Sequence, residues 1–174
     1  SNINNKAFLQ IYKSAKPYFF VLGRKSGAKN YINIIEAIDE LNKKEHLCNL
    51  VMIGRDEDGV AIGSKYTYYL GEQPRNVVLG AMQNCCSLVT MSGSESFGIV
   101  IVEAWMLRKP VIINASCPAF VELVQDNING LYAAKSDLAV KMRKLIEDRK
   151  LATSLGENGF KNVANYTWTE IAKK

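Results

Sequence analysis

The sequence predicts an α/β fold, an open parallel sheet with helices packed on both faces. Three observations lead there. From Pro17 onward, short apolar runs with strand character alternate with stretches of helical periodicity. The strand candidates around Ser87–Met91 and Pro110–Ile113 are separated by more than a dozen residues, the length that a parallel crossover needs. Cations and carboxylates gather in the loops that follow those strands, where open parallel sheets bind ligands. With 174 residues, 48% of them hydrophobic, the chain suits one domain with a substantial core.

Residues 1–16 are polar apart from a helical patch at Ala7–Tyr12, and read as a linker or entering segment. The domain proper is assigned to residues 17–174. Pro17–Leu22 is a buried strand closed by Gly23, followed by the loop Arg24-Lys25-Ser26-Gly27-Ala28-Lys29-Asn30 with three cations. Tyr31–Leu41 has apolar positions at helical spacing, and the polar run to His46 should end that helix. Cys48–Gly54 is the second strand, Arg55–Gly59 a charged loop, and Tyr66–Gly71 the third strand. Pro74 opens a helix through Met82, with proline near a first-turn position. Ser87–Met91 is the fourth strand.

The next stretch carries the function. Glu95 and Glu103 stand eight positions apart with Phe97-Gly98 and an apolar run between them. The four β-branched residues Ile99–Val102 favour a strand. The need for a crossover, and the helix formers Ala104–Leu107, favour a buried helix starting near Phe97-Gly98. On that reading Glu95 lies in the loop after a strand and Glu103 on the second helical turn. The Gly98 amide would be one of the unpaired donors at the helix start, open to a phosphate because glycine has no side chain. Pro110–Asn114 is the fifth strand, Pro118–Val124 a short helix, and Leu131–Ala133 an edge strand after the Asn129-Gly130 turn. Asp137–Asp148, Leu151–Ala164 and a last piece with Trp168 are helical. Trp105, Met106 and Trp168 are expected in the core.

Composition narrows the function classes. The balance of 22 basic and 17 acidic residues leaves +5, too small to choose among anionic ligands, membranes and nucleic acid. The cations are not interleaved with aromatics along one strip, which argues against a nucleic-acid partner. Cys48, Cys85, Cys86 and Cys117 have no paired spacing, and His46 is the lone histidine, so a multi-histidine metal cluster is excluded. Free thiols suit a reducing, cytoplasmic compartment. No apolar run reaches the length of a membrane span. The basic residues Lys141, Arg143, Lys144, Arg149 and Lys150 read as a solvated helix face that could touch the cytoplasmic face of a membrane. Asp56-Glu57-Asp58 contains the Asp-x-Asp that elsewhere holds a divalent metal; such short acidic runs are usually solvated loops.

These residues together resemble the C-terminal, nucleotide-sugar-binding domain of GT-B glycosyltransferases, specifically the retaining glycosyltransferase family 4. The resemblance runs from about Pro17 to Trp168. It includes Gly23-Arg24 with Lys29 five positions later, Tyr69-Leu70-Gly71, Glu95-Ser96-Phe97-Gly98, Glu103-Ala104, Lys109–Ile112 and Asp126–Leu131. It implies a Rossmann-like sheet forming the C-terminal half of a GT-B fold. It also implies a retaining, metal-independent hexosyltransferase of glycan biosynthesis, with no cofactor and a UDP- or GDP-sugar as donor. Arg24 and Lys29 match the family's diphosphate grip, Glu95 the residue at the transferred sugar, and Glu103 the one at the ribose hydroxyls. Arg24, Lys29 and Glu95 are therefore the expected catalytic residues. Gly23, Phe97, Gly98 and Ile99 join them and Glu103 in donor binding, and no metal ligand is expected. The family's N-terminal domain supplies the acceptor site, so a glycan, lipid or protein acceptor would meet a part outside these residues. This domain alone would then bind donor without transferring sugar. The sequence departs from the family at Pro118-Ala119, where Gly-Gly is common, and at Val121, where proline is common. A non-catalytic nucleotide-sugar-binding module is the alternative reading.

Overall fold

The computed structural model describes residues 5–172, with side chains through residue 165. Six parallel strands form one sheet: β1 (Tyr18–Leu22), β2 (Asn49–Ile53), β3 (Thr67–Tyr69), β4 (Leu88–Thr90), β5 (Val111–Asn114) and β6 (Leu131–Ala133). Their spatial order is β3-β2-β1-β4-β5-β6, so the order reverses between β1 and β4. That reversal is the switch point at which such sheets open a ligand crevice beyond the carboxyl ends of the strands.

The helices are α1 (Lys6–Ile11), α2 (Tyr31–Leu41), α3 (Arg75–Asn84), α4 (Ile99–Met106), α5 (Pro118–Leu123), α6 (Leu138–Glu147) and α7 (Arg149–Ala172). Alternation along the strands sends Phe20, Val51, Ile53, Leu88 and Val111 to one face, where they meet α1, α3, α4 and α5. Phe19, Leu50, Met52, Val89 and Ile112 face the other way, against α2, α6 and the start of α7. The expected open parallel sheet with helices on both faces is therefore the observed fold.

Several expectations are refined by packing. The patch at Ala7–Tyr12 contributes to the core: Phe8 and Tyr12 are buried, and Phe8, Tyr12 and Tyr18 form an aromatic cluster 5.0–5.6 Å apart between centroids. The stretch from Ile99 is helical despite its β-branched run, because α4 must carry the chain from β4 to the parallel β5. It is not buried all round. Ile101, Ala104 and Trp105 are buried, whereas Ile99 and Met106 are 63% and 58% exposed. Met106 is thus not a core residue; it follows the inward Trp105 by one helical step and turns outward. Trp105 is fully buried and donates from Nε1 to the Asn129 carbonyl at 3.0 Å. The side chain of Trp168 lies outside the described residues. The last two helical pieces are one helix, α7. Helix α2 ends at Leu41 with Asn42 as its cap, and His46 lies beyond it, hydrogen-bonded to Asn49 at 2.6 Å.

Candidate functional site

The crevice is built by continuing the β1–β2 ladder past the named strands. The Gly23 amide donates to Ile53, the Lys25 amide to the Arg55 carbonyl at 2.8 Å, and the Glu57 amide back to the Lys25 carbonyl at 3.1 Å. This ladder brings two glycines together. A Cβ on Gly54 would lie 1.8 Å from the Gly23 carbonyl oxygen, so only glycine permits the approach. In extended chain, successive side chains point to opposite sides. Arg24 accordingly stands out with 59% of its side chain exposed, while Lys25 turns inward and is 2% exposed.

A short 3-10 turn over Gly27–Lys29 then delivers Lys29 to the front of β4. Asn30, in the left-handed region at φ 53°, donates from its side chain to the Met91 carbonyl at 2.9 Å. Asn114 donates to the same oxygen at 3.0 Å from the other side. Two amides thus lock the end of β4 between its neighbours, and the loop from Ser92 to Gly98 leaves from a fixed point.

Gly23, Arg24, Lys29, Glu95, Phe97 and Ile99 line one cavity of about 240 Å³ at this edge. An adjoining cavity of about 310 Å³ shares Leu22, Gly23 and Arg24 with it and is bounded further by Arg55, Glu72 and Gln73. Phe120 of α5 also reaches the first cavity, so the segment that departs from the family pattern touches the site. Glu103 and Gly98 are not among the residues lining either cavity. Glu103 lies one turn into α4, paired at 2.5 Å with Arg75, the first residue of α3.

Gly98 precedes α4 with φ −92°, so it needs no special backbone freedom. A Cβ there would fall 2.6 Å from Leu123 Cδ2 and 3.2 Å from Ile101 Cδ1. Its missing side chain thus also serves packing, since a Cβ there would make the Leu123 and Ile101 side chains give way. The amides of the first turn of α4 remain donors without helical partners.

Cations and carboxylates in the crevice neutralise one another. Lys29 is paired with Glu95, Arg24 and Arg55 share Glu57 at 3.4 and 2.7 Å, and Arg75 holds Glu103. Burial alone would raise the pKa of Glu95. The Lys29 ammonium, the Ser92 hydroxyl and Arg24 outweigh it and keep the carboxyl below its usual range, hence ionised at neutral pH. Arg24 and Lys29 thus stand at the cavity with carboxylate partners, while the Arg75–Glu103 pair lies outside its lining.

The Asp56-Glu57-Asp58 run is largely a solvated loop, as expected, with Asp56 44% exposed, but Asp58 is turned in, and neither aspartate lines the cavity. Both accept from the buried Lys25 ammonium. Among the described residues no group of three or more His, Cys, Asp or Glu side chains is placed to hold a metal ion. Lys25 and Arg75 were missed by sequence reasoning. An acidic partner run 31 positions away, in register across a ladder, was the signal for Lys25. Nothing local marks Arg75. The four cysteines are free, and the buried Cys85 thiol is pushed up to about 12 by desolvation, which leaves it unreactive. Among the described residues no helix is long and apolar enough to cross a membrane.

Comparison with known proteins gives this geometry a family. The chain is 38% identical over 102 residues to an uncharacterised glycosyltransferase of Methanocaldococcus jannaschii, an alignment covering 57% of this chain and 29% of that protein. It superposes with a TM-score of 0.78 and 20% identity on the C-terminal domain of the glycosyl transferase group 1 family protein LpcC from Francisella tularensis, covering 96% and 94% of the two chains. Anabaena Alr3699/HepE, solved in complex with UDP-glucose, superposes with a TM-score of 0.79 and 21% identity over 92% of this chain and 47% of its own. The chain spans less than half the length of the curated relatives it matches. The model of the family "Glycosyl transferases group 1" matches residues 4–162, and the chain belongs to that family of glycosyltransferases.

Proposed function

We propose that this chain is the donor-binding half of a retaining, metal-independent glycosyltransferase of family 4. It would move a hexosyl group from a nucleoside diphosphate sugar to an acceptor hydroxyl. One observation carries the reading: Arg24, Lys29 and Glu95 converge on a single cavity at the β1/β4 switch point. Arg24 and Lys29 grip the diphosphate, the arginine as a fork and the lysine as a point charge. Glu95 meets the transferred sugar beside Phe97 and Ile99. The adjoining cavity by Arg55, Glu72 and Gln73 takes the base, and Glu103 exchanges Arg75 for the ribose hydroxyls. The UDP-glucose bound to the Anabaena protein supports a uridine donor.

The bond from the anomeric carbon to the diphosphate oxygen breaks while the bond to the acceptor oxygen forms with retained configuration. The acceptor's proton passes to the departing diphosphate. Charge grows on that leaving group, so Arg24, Lys29 and the first-turn amides of α4 bind the transition state more tightly than the ground state. This is the work a magnesium ion performs elsewhere. Asp56 and Asp58 already hold an ammonium, which favours the metal-free reading. Acceptor binding and turnover belong to an N-terminal half that the family's enzymes supply. Four free thiols favour a cytoplasmic site of action.

The test is calorimetric titration of the chain with uridine, guanosine and adenosine diphosphates and their sugars, with and without magnesium. One nucleotide should bind, magnesium should leave its affinity unchanged, and Arg24→Ala and Lys29→Ala should weaken it. Binding that requires magnesium, or that ignores both substitutions, would overturn the reading.

A further inference from the structure

Arg24 owes little of its position to its own contacts. Its side chain is largely in water, and among the described residues its hydrogen-bond partner is Glu57, at 3.4 Å. The residue beside it is fixed at three points. The Lys25 amide donates to the Arg55 carbonyl, and its carbonyl accepts from the Glu57 amide. Its ammonium, 2% exposed, donates to Asp56 at 3.1 Å and to Asp58 and lies 5.3 and 5.7 Å from the ring centroids of Tyr31 and Tyr69.

The cage is itself braced. The Tyr31 hydroxyl donates to Asp58 at 2.6 Å, and the Tyr69 hydroxyl to the Gly54 carbonyl at 2.5 Å. Asp56 and Asp58 also accept from the amides of Gly59 and Val60 at 2.9 and 3.0 Å. One ammonium therefore joins the loop after β1, the loop after β2, the start of α2 and the end of β3. A buried ion cluster is a weak source of stability compared with apolar side chains of similar volume, but it accepts few geometries.

We propose that Lys25 is a positioning residue for the donor diphosphate, holding the backbone of Arg24 so that the guanidinium faces the cavity. This rests on the donor-site reading above. Phosphate never touches Lys25; its effect on binding passes through Arg24. Without the cage, residues 23–25 keep only the ladder hydrogen bonds to the loop after β2 and can shift relative to Lys29 and Glu95, and shifts of that kind weaken a preorganised site.

A double-mutant cycle tests this, with UDP and GDP titrated into the chain carrying Lys25→Met, Arg24→Ala or both. Lys25→Met should weaken diphosphate binding about tenfold with Arg24 in place and less than about twofold where Arg24 is already alanine. An equal loss in both backgrounds would show a merely structural role and overturn the proposal, as would an unchanged affinity in Lys25→Met. If neither diphosphate binds, or Arg24→Ala has no effect, the donor-site reading itself falls, a pattern distinct from failure of Lys25→Met alone. Should Lys25→Met not fold, Lys25→Met/Asp58→Asn removes the ammonium and the less exposed of its two carboxylates together, leaving Asp56 to solvent, and is read in the same cycle.

Discussion

Lys25 and Lys29 are the same residue four positions apart, and their surroundings make them different instruments. Lys25 is sealed from water behind the strand ends, with two carboxylates and two aromatic rings. Lys29 is 26% exposed in front of β4 and has Glu95, itself 23% exposed, as its partner. Pulling Lys25 from its carboxylates would strand a buried ammonium, at a large desolvation cost. Replacing Glu95 by a phosphate on Lys29 strands nothing, because the released carboxylate faces the cavity and water. Burial and the number of partners, rather than residue type, decide which ion pair is scaffold and which can be exchanged for a ligand.

The largest expected effect separates the two. On the proposed function, in an enzyme that joins this chain to an acceptor-binding half, Lys29→Ala should lower kcat/KM by about 10²-fold or more, as for other preorganised charge-stabilising groups. Its Tm should hardly change, because partly exposed pairs contribute little to stability. Lys25→Met should lower Tm by several degrees. Steady-state rates and thermal unfolding of both variants check this. A Lys29→Ala protein with near wild-type turnover, or as destabilised as Lys25→Met, would erase the contrast.

The same contrast explains what could be read from the sequence. Strands and helices were legible because periodicity and turn residues are local; Tyr31–Leu41, for example, is the helix its apolar spacing predicts. That Arg24, Lys29 and Glu95 would meet at one crevice was legible because each lies in a loop after a strand, and strand order brings those loops together. The Lys25 cage was not. Local chemistry makes Lys25 one of three loop cations and Asp56-Glu57-Asp58 a solvated run or a metal site. Only the Lys25–Asp56 register across the ladder unites them. Met106 was misplaced for the opposite reason: α4 is so apolar that its composition hides which face turns outward. The packing of Leu123 against Gly98 was not legible either, because the two residues are brought together by the fold and not by any local pattern.

A second, smaller effect sharpens the distinction at Glu103. Its partner Arg75 is 64% exposed, so this pair belongs with Lys29 among the exchangeable ones. Glu103→Ala should weaken nucleoside diphosphate affinity about tenfold, the scale of hydrogen bonds to a charged group. Arg75→Ala should change stability by less than about 1 kcal/mol. Titration calorimetry and denaturant unfolding give the two numbers. Unchanged affinity in Glu103→Ala would remove that residue from the ribose site.

The finest distinction is in pH. Lys29, Ser92 and Arg24 hold the Glu95 carboxyl below its usual range against the opposing effect of burial. A depressed folded-state pKa stabilises the protein above the ordinary carboxylate value of about 4.3, and that contribution is lost as pH falls through the folded-state value. The Tm difference between the wild type and Glu95→Gln should therefore be flat above about pH 5 and shrink toward acid. Asp58 is held much further down, first by Lys25 and then by the Tyr31 hydroxyl, so the difference for Asp58→Asn should persist into stronger acid. Saturating diphosphate should shift the Glu95 curve to higher pH, because phosphate takes Lys29 from the carboxylate, and leave the Asp58 curve in place. Thermal unfolding of the three proteins across acid pH, with and without ligand, checks both statements. Two curves that move together with ligand would mean that Lys25 and Lys29 are not divided as scaffold and exchangeable partner.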